Sequence, residues 1–173
     1  MKTILAGIVA ALAFVFSAHA AEATVKISQV HMCCGSCVND IEAAVGKVKG
    51  VKVAADKSAR TVDLTAADNA TLQKAANELV KAGYFGTSSS SEVKMNAKTG
   101  AKGQKVQSLT VNGVHLCCAK CVKAVDEAVK TVPGVTSHSA APAAKSFKVV
   151  GDFNDQAVFD ALNKAGLAGV AGR

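Results

Sequence analysis

Apolar residues recur at helical spacing in two segments of the chain, and both segments follow one pattern. Their positions are Val38, Ile41, Val45 and Val48 in the first segment and Val122, Val125, Val129 and Val132 in the second. Such spacing is typical of an amphipathic helix with one buried face. Gly50 and Gly134 follow the two segments, and glycine commonly ends a helix. The pattern therefore predicts the same helix twice.

Alternating apolar and polar residues surround both predicted helices and indicate β-strands. A strand at 24–30 or 107–114 precedes each helix, and a hairpin follows it. A second helix then ends at Gly83 in the first half and at Gly166 in the second. Strand, helix, strand, strand, helix and a short last strand form the split βαβ, or ferredoxin-like, unit. We predict an α+β protein of two ferredoxin-like βαββαβ domains.

A polar segment rich in serine, lysine and glycine separates the two units, with the sequence GTSSSSEVKMNAKTGAKGQ. This composition is typical of a flexible linker. The predicted boundaries are a signal peptide at 1–20, a first domain at 21–86, the linker at 87–105 and a second domain at 106–173.

The first twenty residues have the character of a secretory signal peptide. Lys2 is followed by the apolar run ILAGIVAALAFVF and by a small-x-small ending at Ala18 and Ala20. A run of this length is short for a bilayer span, and the ending is typical of a cleavage site. We expect a mature chain that begins at Ala21, is periplasmic or secreted, and has no membrane span after cleavage.

The scattered charges and the scarcity of aromatic residues argue against a nucleic-acid partner. The chain has 20 lysine and arginine residues against 13 acidic ones, a formal charge of +7, and only 4% aromatic residues. The basic residues are scattered among the acidic ones. Nucleic-acid-binding proteins usually concentrate basic and stacking aromatic residues on one face, so we expect no such partner.

All six cysteines lie in two short stretches, HMCCGSC at 31–37 and HLCCAKC at 115–121. Exported proteins usually pair their cysteines as disulfides, but a disulfide framework spreads them along the chain. Two tight triplets indicate a local thiol site instead. The C-x-x-C pairs Cys34–Cys37 and Cys118–Cys121 begin the predicted helices, where the helix dipole lowers a thiol pKa. Paired thiolates are soft ligands that suit Cu(I) and also Zn(II).

These motifs resemble a tandem of heavy-metal-associated domains, the family of copper chaperones and periplasmic mercury-binding proteins. The family pattern G-M-x-C-x-x-C follows the first strand, and a closing A-G-[YF] matches Ala82-Gly83-Tyr84. Met32 takes the family methionine position, and Leu116 replaces it in the second unit. The resemblance implies a ferredoxin-like fold and a supporting role for the methionine position. It also implies four metal-binding cysteines: Cys34, Cys37, Cys118 and Cys121.

Two lysines extend this resemblance. Lys81 and Lys164 stand directly before the A-G pairs that close the two units. In the soluble chaperones of the family, a lysine in this loop lies near the metal and offsets the thiolate charge. The resemblance implies the same for Lys81 and Lys164.

Four residues depart from the family pattern. Cys33 and Cys117 occupy its variable position, and His31 and His115 stand where the family usually has glycine. Three hypotheses compete for the additional cysteines: further metal ligands, disulfide partners, or exposed bystanders. The histidines are either imidazole ligands or residues on the solvent side of a strand. The two sites could each bind their own metal, or meet and share one.

The favoured hypothesis is a soft-metal binding protein that carries or sequesters Cu(I), with Zn(II) and Hg(II) as alternative metals. A metal-transferring protein would be its partner, and metal would pass by exchange of thiolate ligands. The competing hypothesis is a thiol–disulfide redox protein, because C-x-x-C at a helix start is also a redox arrangement. No catalytic triad, phosphate loop or carboxylate pair stands out, so we do not expect an enzyme.

Overall fold

In the computed structural model, which describes residues 22–172, each half of the chain forms one four-stranded antiparallel sheet covered by two helices. The predicted signal peptide lies outside the described residues. In the first half the elements are β1 (Ala23–Ser28), α1 (Gly35–Val45), β2 (Lys52–Asp56), β3 (Thr61–Ala66), α2 (Asn69–Lys81) and β4 (Thr87–Ser88). In the second half they are β5 (Lys105–Asn112), α3 (Ala119–Val129), β6 (Val135–His138), β7 (Ser146–Asn154), α4 (Asp155–Lys164) and β8 (Val170–Ala171).

Both sheets have the same strand order, β2-β3-β1-β4 in the first unit and β6-β7-β5-β8 in the second. The first and third strands of each unit are therefore central, and the short fourth strand lies at one edge. The prediction of two ferredoxin-like units is confirmed.

The helices bury the apolar faces that their spacing predicts. Ile41 and Val45 of α1 are fully buried, as are Val125 and Val129 of α3. The second helix of each unit starts at a side-chain cap: the Asp68 carboxylate accepts from the Thr71 N–H at 2.7 Å, and the Asn154 amide oxygen accepts from the N–H groups of residues 156 and 157. Capping of this kind satisfies N–H groups that have no partner within the helix. Local signals thus account for where these helices lie.

The segment between the units is more structured than the flexible linker that its composition predicts for 87–105. Strand β4 lies within it and pairs with β1, and Val93 is fully buried. The Gln73 side chain exchanges two hydrogen bonds with the backbone of Lys94, at 2.7 and 2.8 Å. The Asp155 carboxylate accepts from the N–H groups of residues 102 and 104. A polar composition does not reveal such contacts, because their partners are distant in the sequence.

The two units contact each other through the loops that follow their second helices. Across this contact the N–H of Ala168 donates to the Gly83 carbonyl at 2.9 Å, and the N–H of Phe85 donates to the Gly166 carbonyl at 3.1 Å. Tyr84 and Leu167 form an antiparallel bridge, and the buried apolar residues of both units make one continuous core. None of the helices within residues 22–172 has the length and apolar character of a membrane span.

Candidate metal centre

Each C-x-x-C pair lies at the start of the first helix of its unit. Cys34 and Cys118 are the N-cap residues of α1 and α3 and have extended backbones. Cys37 and Cys121 lie in the first helical turn and are fully buried. One helical turn separates the members of a pair, so their sulfurs lie on the same side of the helix; Cys34 Sγ and Cys37 Sγ are 3.8 Å apart.

The two pairs meet at the contact between the units, and the additional cysteines lie between them. Cys33 Sγ is 3.3 Å from Cys118 Sγ and 3.4 Å from Cys121 Sγ, both in the other unit. Cys117 Sγ is likewise 3.6 Å from Cys34 Sγ and 3.7 Å from Cys37 Sγ. All six cysteines are free thiols. The two triplets therefore form one cluster of six sulfurs rather than two separate sites.

Three sets of side chains in this cluster have ligand atoms within 4.8 Å of one another. One set joins the first pair to both additional cysteines, and another joins the second pair to the same two. The third contains a histidine and consists of Cys37, His115, Cys117 and Cys121. Four thiols, or three thiols and an imidazole, make a donor set that suits Zn(II), and thiolates also suit Cu(I).

The thiols differ in how readily they ionise. The N–H group of Cys37 and the nearby Cys117 thiol lower the pKa of Cys34 to about 6. The N–H group of Cys121 and the Cys33 thiol lower the pKa of Cys118 in the same way. Burial raises the pKa of Cys33 and of Cys117. Each unit therefore has one thiol of lowered pKa at its helix start and one of raised pKa beside it.

The two predicted histidine candidates lie in different surroundings. Nδ1 of His115 is 3.6 Å from a carboxylate oxygen of Asp40, and its ring stacks on Tyr84 with centroids 4.8 Å apart. Nε2 of each histidine is buried and has no hydrogen-bond partner within residues 22–172. Burial lowers the pKa of both; Arg60 lowers that of His31 further, whereas Asp40 opposes the shift at His115. Of the two, His115 alone joins a candidate ligand set.

Two residues of the site were not among the sequence candidates. The Tyr84 hydroxyl is fully buried and donates to the Cys37 carbonyl at 3.3 Å. Asp40 lies on the exposed side of α1, where its carboxylate approaches His115 of the second unit. Tyr84 belongs to the closing A-G-[YF] motif, so a signal for it existed. Asp40 carries no such signal, because its partner belongs to the other unit.

The four predicted supporting residues fall into two groups. Met32 and Leu116 are 5% and 4% exposed and belong to the core, in line with a structural role. The Lys81 ammonium group pairs with Glu78 on the surface of α2, rather than with a thiol. Lys164 lines a surface cleft that also contains His31, Arg60 and Lys120. The contacts of Lys81 do not match the charge-offsetting role that the family resemblance implies, because Glu78 occupies its ammonium group.

Comparison with known protein families supports a metal-binding role for the cysteine cluster. The model of the heavy-metal-associated domain matches residues 24–85 and 108–166, which include both cysteine stretches. The chain belongs to the heavy-metal-associated domain family. This match confirms the predicted resemblance. Because domains of this family are metal-binding modules, the cysteine cluster is a metal-binding feature. No curated protein sequence matches the chain.

Two solved structures are similar to parts of this heavy-metal-associated protein. The N-terminal domain of PacS from Synechocystis PCC6803 is 25% identical and matches 39% of this chain and 100% of that domain, with a TM-score of 0.36. The N-terminal soluble domains of Bacillus subtilis CopA are 14% identical and match 88% of this chain and 95% of that one, with a TM-score of 0.32. Both TM-scores are low, so the family assignment rests on the sequence model.

Proposed function

We propose that this protein is exported to the periplasm or secreted, binds Cu(I) at its cysteine cluster, and carries or sequesters the ion. The observation that supports this proposal is the meeting of all six thiols within 3.3 to 3.8 Å of their neighbours. Thiolates are soft ligands that favour Cu(I). The pKa of Cys34, lowered to about 6, supplies a thiolate near neutral pH, and the pKa of Cys118 is shifted in the same direction.

Transfer of the ion would proceed by exchange of thiolate ligands. Cys34 and Cys118 are half-buried, whereas Cys37 and Cys121 are fully buried. A thiolate from a metal-transferring partner would therefore reach an ion first on the side of the N-cap cysteine. It would replace the N-cap thiolate there before it replaces the buried one. The half-buried N-cap thiol thus controls release, and the buried thiol retains the ion until transfer is complete.

The test is an anaerobic titration of the reduced chain with Cu(I) in competition with a chelator of known affinity. We expect binding far tighter than that of free glutathione thiols, with loss of the tight sites in a variant whose six cysteines are serine. Parallel titrations with Zn(II) and Hg(II) rank the alternative metals. Copper binding no better than that of free thiols would contradict the proposal.

Export is tested separately by fractionating cells that express the gene and sequencing the N-terminus of the product. A mature protein that begins at Ala21 and occurs in the periplasm or medium is the expected result. Retention of residues 1–20 on a cytoplasmic product would contradict it.

One observation favours thiol–disulfide exchange as a second candidate function. A thiol with a pKa of about 6, Cys34, lies beside further thiols at contact distance. Such a thiolate is a competent nucleophile for a disulfide. Rapid equilibration of the pairs with glutathione, together with weak Cu(I) binding, would replace the copper proposal by this one.

A further inference from the structure

The additional cysteines lie at least as close to the C-x-x-C pair of the opposite unit as to that of their own. Cys33 Sγ is 3.3 and 3.4 Å from the two thiols of the second pair, but 3.7 Å from Cys37 Sγ in its own unit. Cys117 Sγ contacts both thiols of the first pair, and in its own unit it contacts Cys121 Sγ at 3.6 Å. Each additional sulfur therefore lies between the two pairs.

We infer that Cys33 and Cys117 are shared ligands, so that the two units together form one centre for two metal ions. This inference rests on the proposed metal-binding function and specifies its ligands. Each ion has one C-x-x-C pair as its own ligands. Both ions then share the sulfurs of Cys33 and Cys117, because each pair forms a close set of four sulfurs only with these same two residues.

The distances suit such a centre. In a tetrahedral Zn(II) site, metal–thiolate bonds of about 2.3 Å place the sulfurs roughly 3.7 Å apart. The close sulfur–sulfur contacts in the cluster span 3.3 to 3.8 Å, and the other sulfurs of each set of four lie within 4.8 Å of one another, so side-chain adjustments would admit the ions. Six thiolates around two ions give every ion four sulfur ligands and leave no cysteine unused. A pair of separate two-thiolate sites would leave Cys33 and Cys117 without a role.

Backbone contacts hold the two units in the orientation that the shared centre requires. Gly83 has a φ of +91°, and a Cβ atom there would lie 2.5 Å from the backbone of Gly113 and His115. Gly166 has a φ of +85°, and its Cβ would lie 2.3 Å from the Gln29 carbonyl. The stretch before each cysteine triplet is therefore pressed against the other unit. These contacts are made by backbone atoms and involve no thiol, so the approach of the two units does not depend on a sulfur ligand.

The inference predicts that each pair depends on the additional cysteine of the opposite unit. The experiment uses the full chain with Cys118→Ser and Cys121→Ser, which leaves the first pair as the only C-x-x-C site. Adding Cys117→Ser to this variant should weaken binding of the remaining Cu(I) at least tenfold. The mirror variant, with Cys34→Ser and Cys37→Ser, should be weakened equally by Cys33→Ser. The control is Ser36→Ala, which changes the first turn of α1 between Cys34 and Cys37 but removes no thiol.

Native mass spectrometry of the unsubstituted chain should detect two ions bound to a monomer. X-ray absorption of this loaded form should show sulfur ligands and a neighbouring metal. Circular dichroism and denaturant unfolding of every variant establish that each remains folded, so a loss of affinity reports on ligation.

The possible outcomes separate the two proposals. If the unsubstituted chain binds no Cu(I) tightly, the proposed function and the shared centre both fail. If it binds tightly but Cys117→Ser has no effect on the remaining first pair, the shared centre alone is overturned. Two ions bound only by a dimer of chains would also overturn it.

Discussion

The two units supply matching thiols to the centre but different surroundings to its histidines. In both units an N-cap cysteine has a lowered pKa, and the cysteine before it has a raised one. His115, by contrast, faces Asp40 and stacks on Tyr84, whereas Arg60 acts on His31. The two units thus share their thiol chemistry but differ in the side chains around it.

The difference follows from two positions. The residue of α3 that corresponds to Asp40 of α1 is Ala124, and the residue that follows the closing glycine is Tyr84 in the first unit and Leu167 in the second. The first unit therefore supplies both the carboxylate and the ring that contact His115 of the second unit. The second unit has Ala124 and Leu167 at these positions, which offer His31 neither group. The comparison indicates a centre that is symmetric in sulfur and asymmetric in imidazole.

The largest expected effect concerns the thiol pattern that the two units share, and it is measured through the reactivity of the cysteines. Thiolate, not thiol, is the nucleophile. In the reduced, metal-free chain at pH 7, we expect iodoacetamide to modify Cys34 and Cys118 at least about tenfold faster than Cys33 and Cys117. The Cys34 rate should rise with pH through about 6 and then level off, because its pKa is lowered to about 6.

Peptide mass spectrometry of samples quenched at intervals provides these rates. The control is the chain in concentrated urea, where the four cysteines should react alike. Faster modification of Cys33 than of Cys34 in the folded chain would show that the thiolates are distributed differently.

The next effect concerns the contact between the units. Gly83→Ala and Gly166→Ala each place a Cβ where backbone atoms lie within 2.5 Å, at a positive φ. We expect each to lower the free energy of unfolding by about 1–3 kcal/mol, as overpacking does. Gly103→Ala is the matched control, since Gly103 has a φ of +68° but no atom within 4 Å of its Cβ. Equal stability of all three variants in urea denaturation would show that this contact contributes little.

The difference between the two histidines is tested by replacing each with asparagine. His115 belongs to a set with three cysteines, whereas His31 belongs to none within residues 22–172. We expect His115→Asn to weaken Zn(II) binding about tenfold, as loss of a ligand or of its oriented neighbour does. His31→Asn should leave Zn(II) affinity within about twofold, well below the effect of an oriented neighbour. Competition with a chromophoric zinc chelator measures both, and equal losses would remove the asymmetry.

The smallest expected effect concerns Tyr84, which takes the place in the first unit that Leu167 has in the second. Tyr84→Phe removes the hydrogen bond from the hydroxyl to the Cys37 carbonyl. One buried hydrogen bond contributes about 0.5–1.5 kcal/mol, so the free energy of unfolding should fall by that amount. Tyr84→Leu copies the second unit and also removes the stacking on His115, so its loss should be larger. A Tyr84→Phe variant as stable as the unsubstituted chain would show that this hydroxyl contributes nothing.

Prediction from the sequence succeeded where the signal was local. The stripe Ile41–Val45 and its repeat Val125–Val129 predicted helices that bury those residues, and the motif around the cysteines identified the family. The short last strands were also predicted, although the glycine-rich C-terminus gave them little periodicity. The segment 87–105 was predicted less well, because Val93 is buried and the backbone of Lys94 is bonded to Gln73 of α2.

The sequence by itself determined the two ferredoxin-like units and the placement of Cys34 and Cys118 at helix starts, because hydrophobic periodicity and caps act between neighbouring residues. Only the tertiary structure decided that Cys33 lies against Cys118 and that His115, rather than His31, faces a carboxylate. Those contacts depend on how two separately folded sheets pack. Packing depends on the shapes of the two whole surfaces, which approach closely where Gly83 and Gly166 have no side chain. The motifs that contain these glycines do not show which surface they will meet.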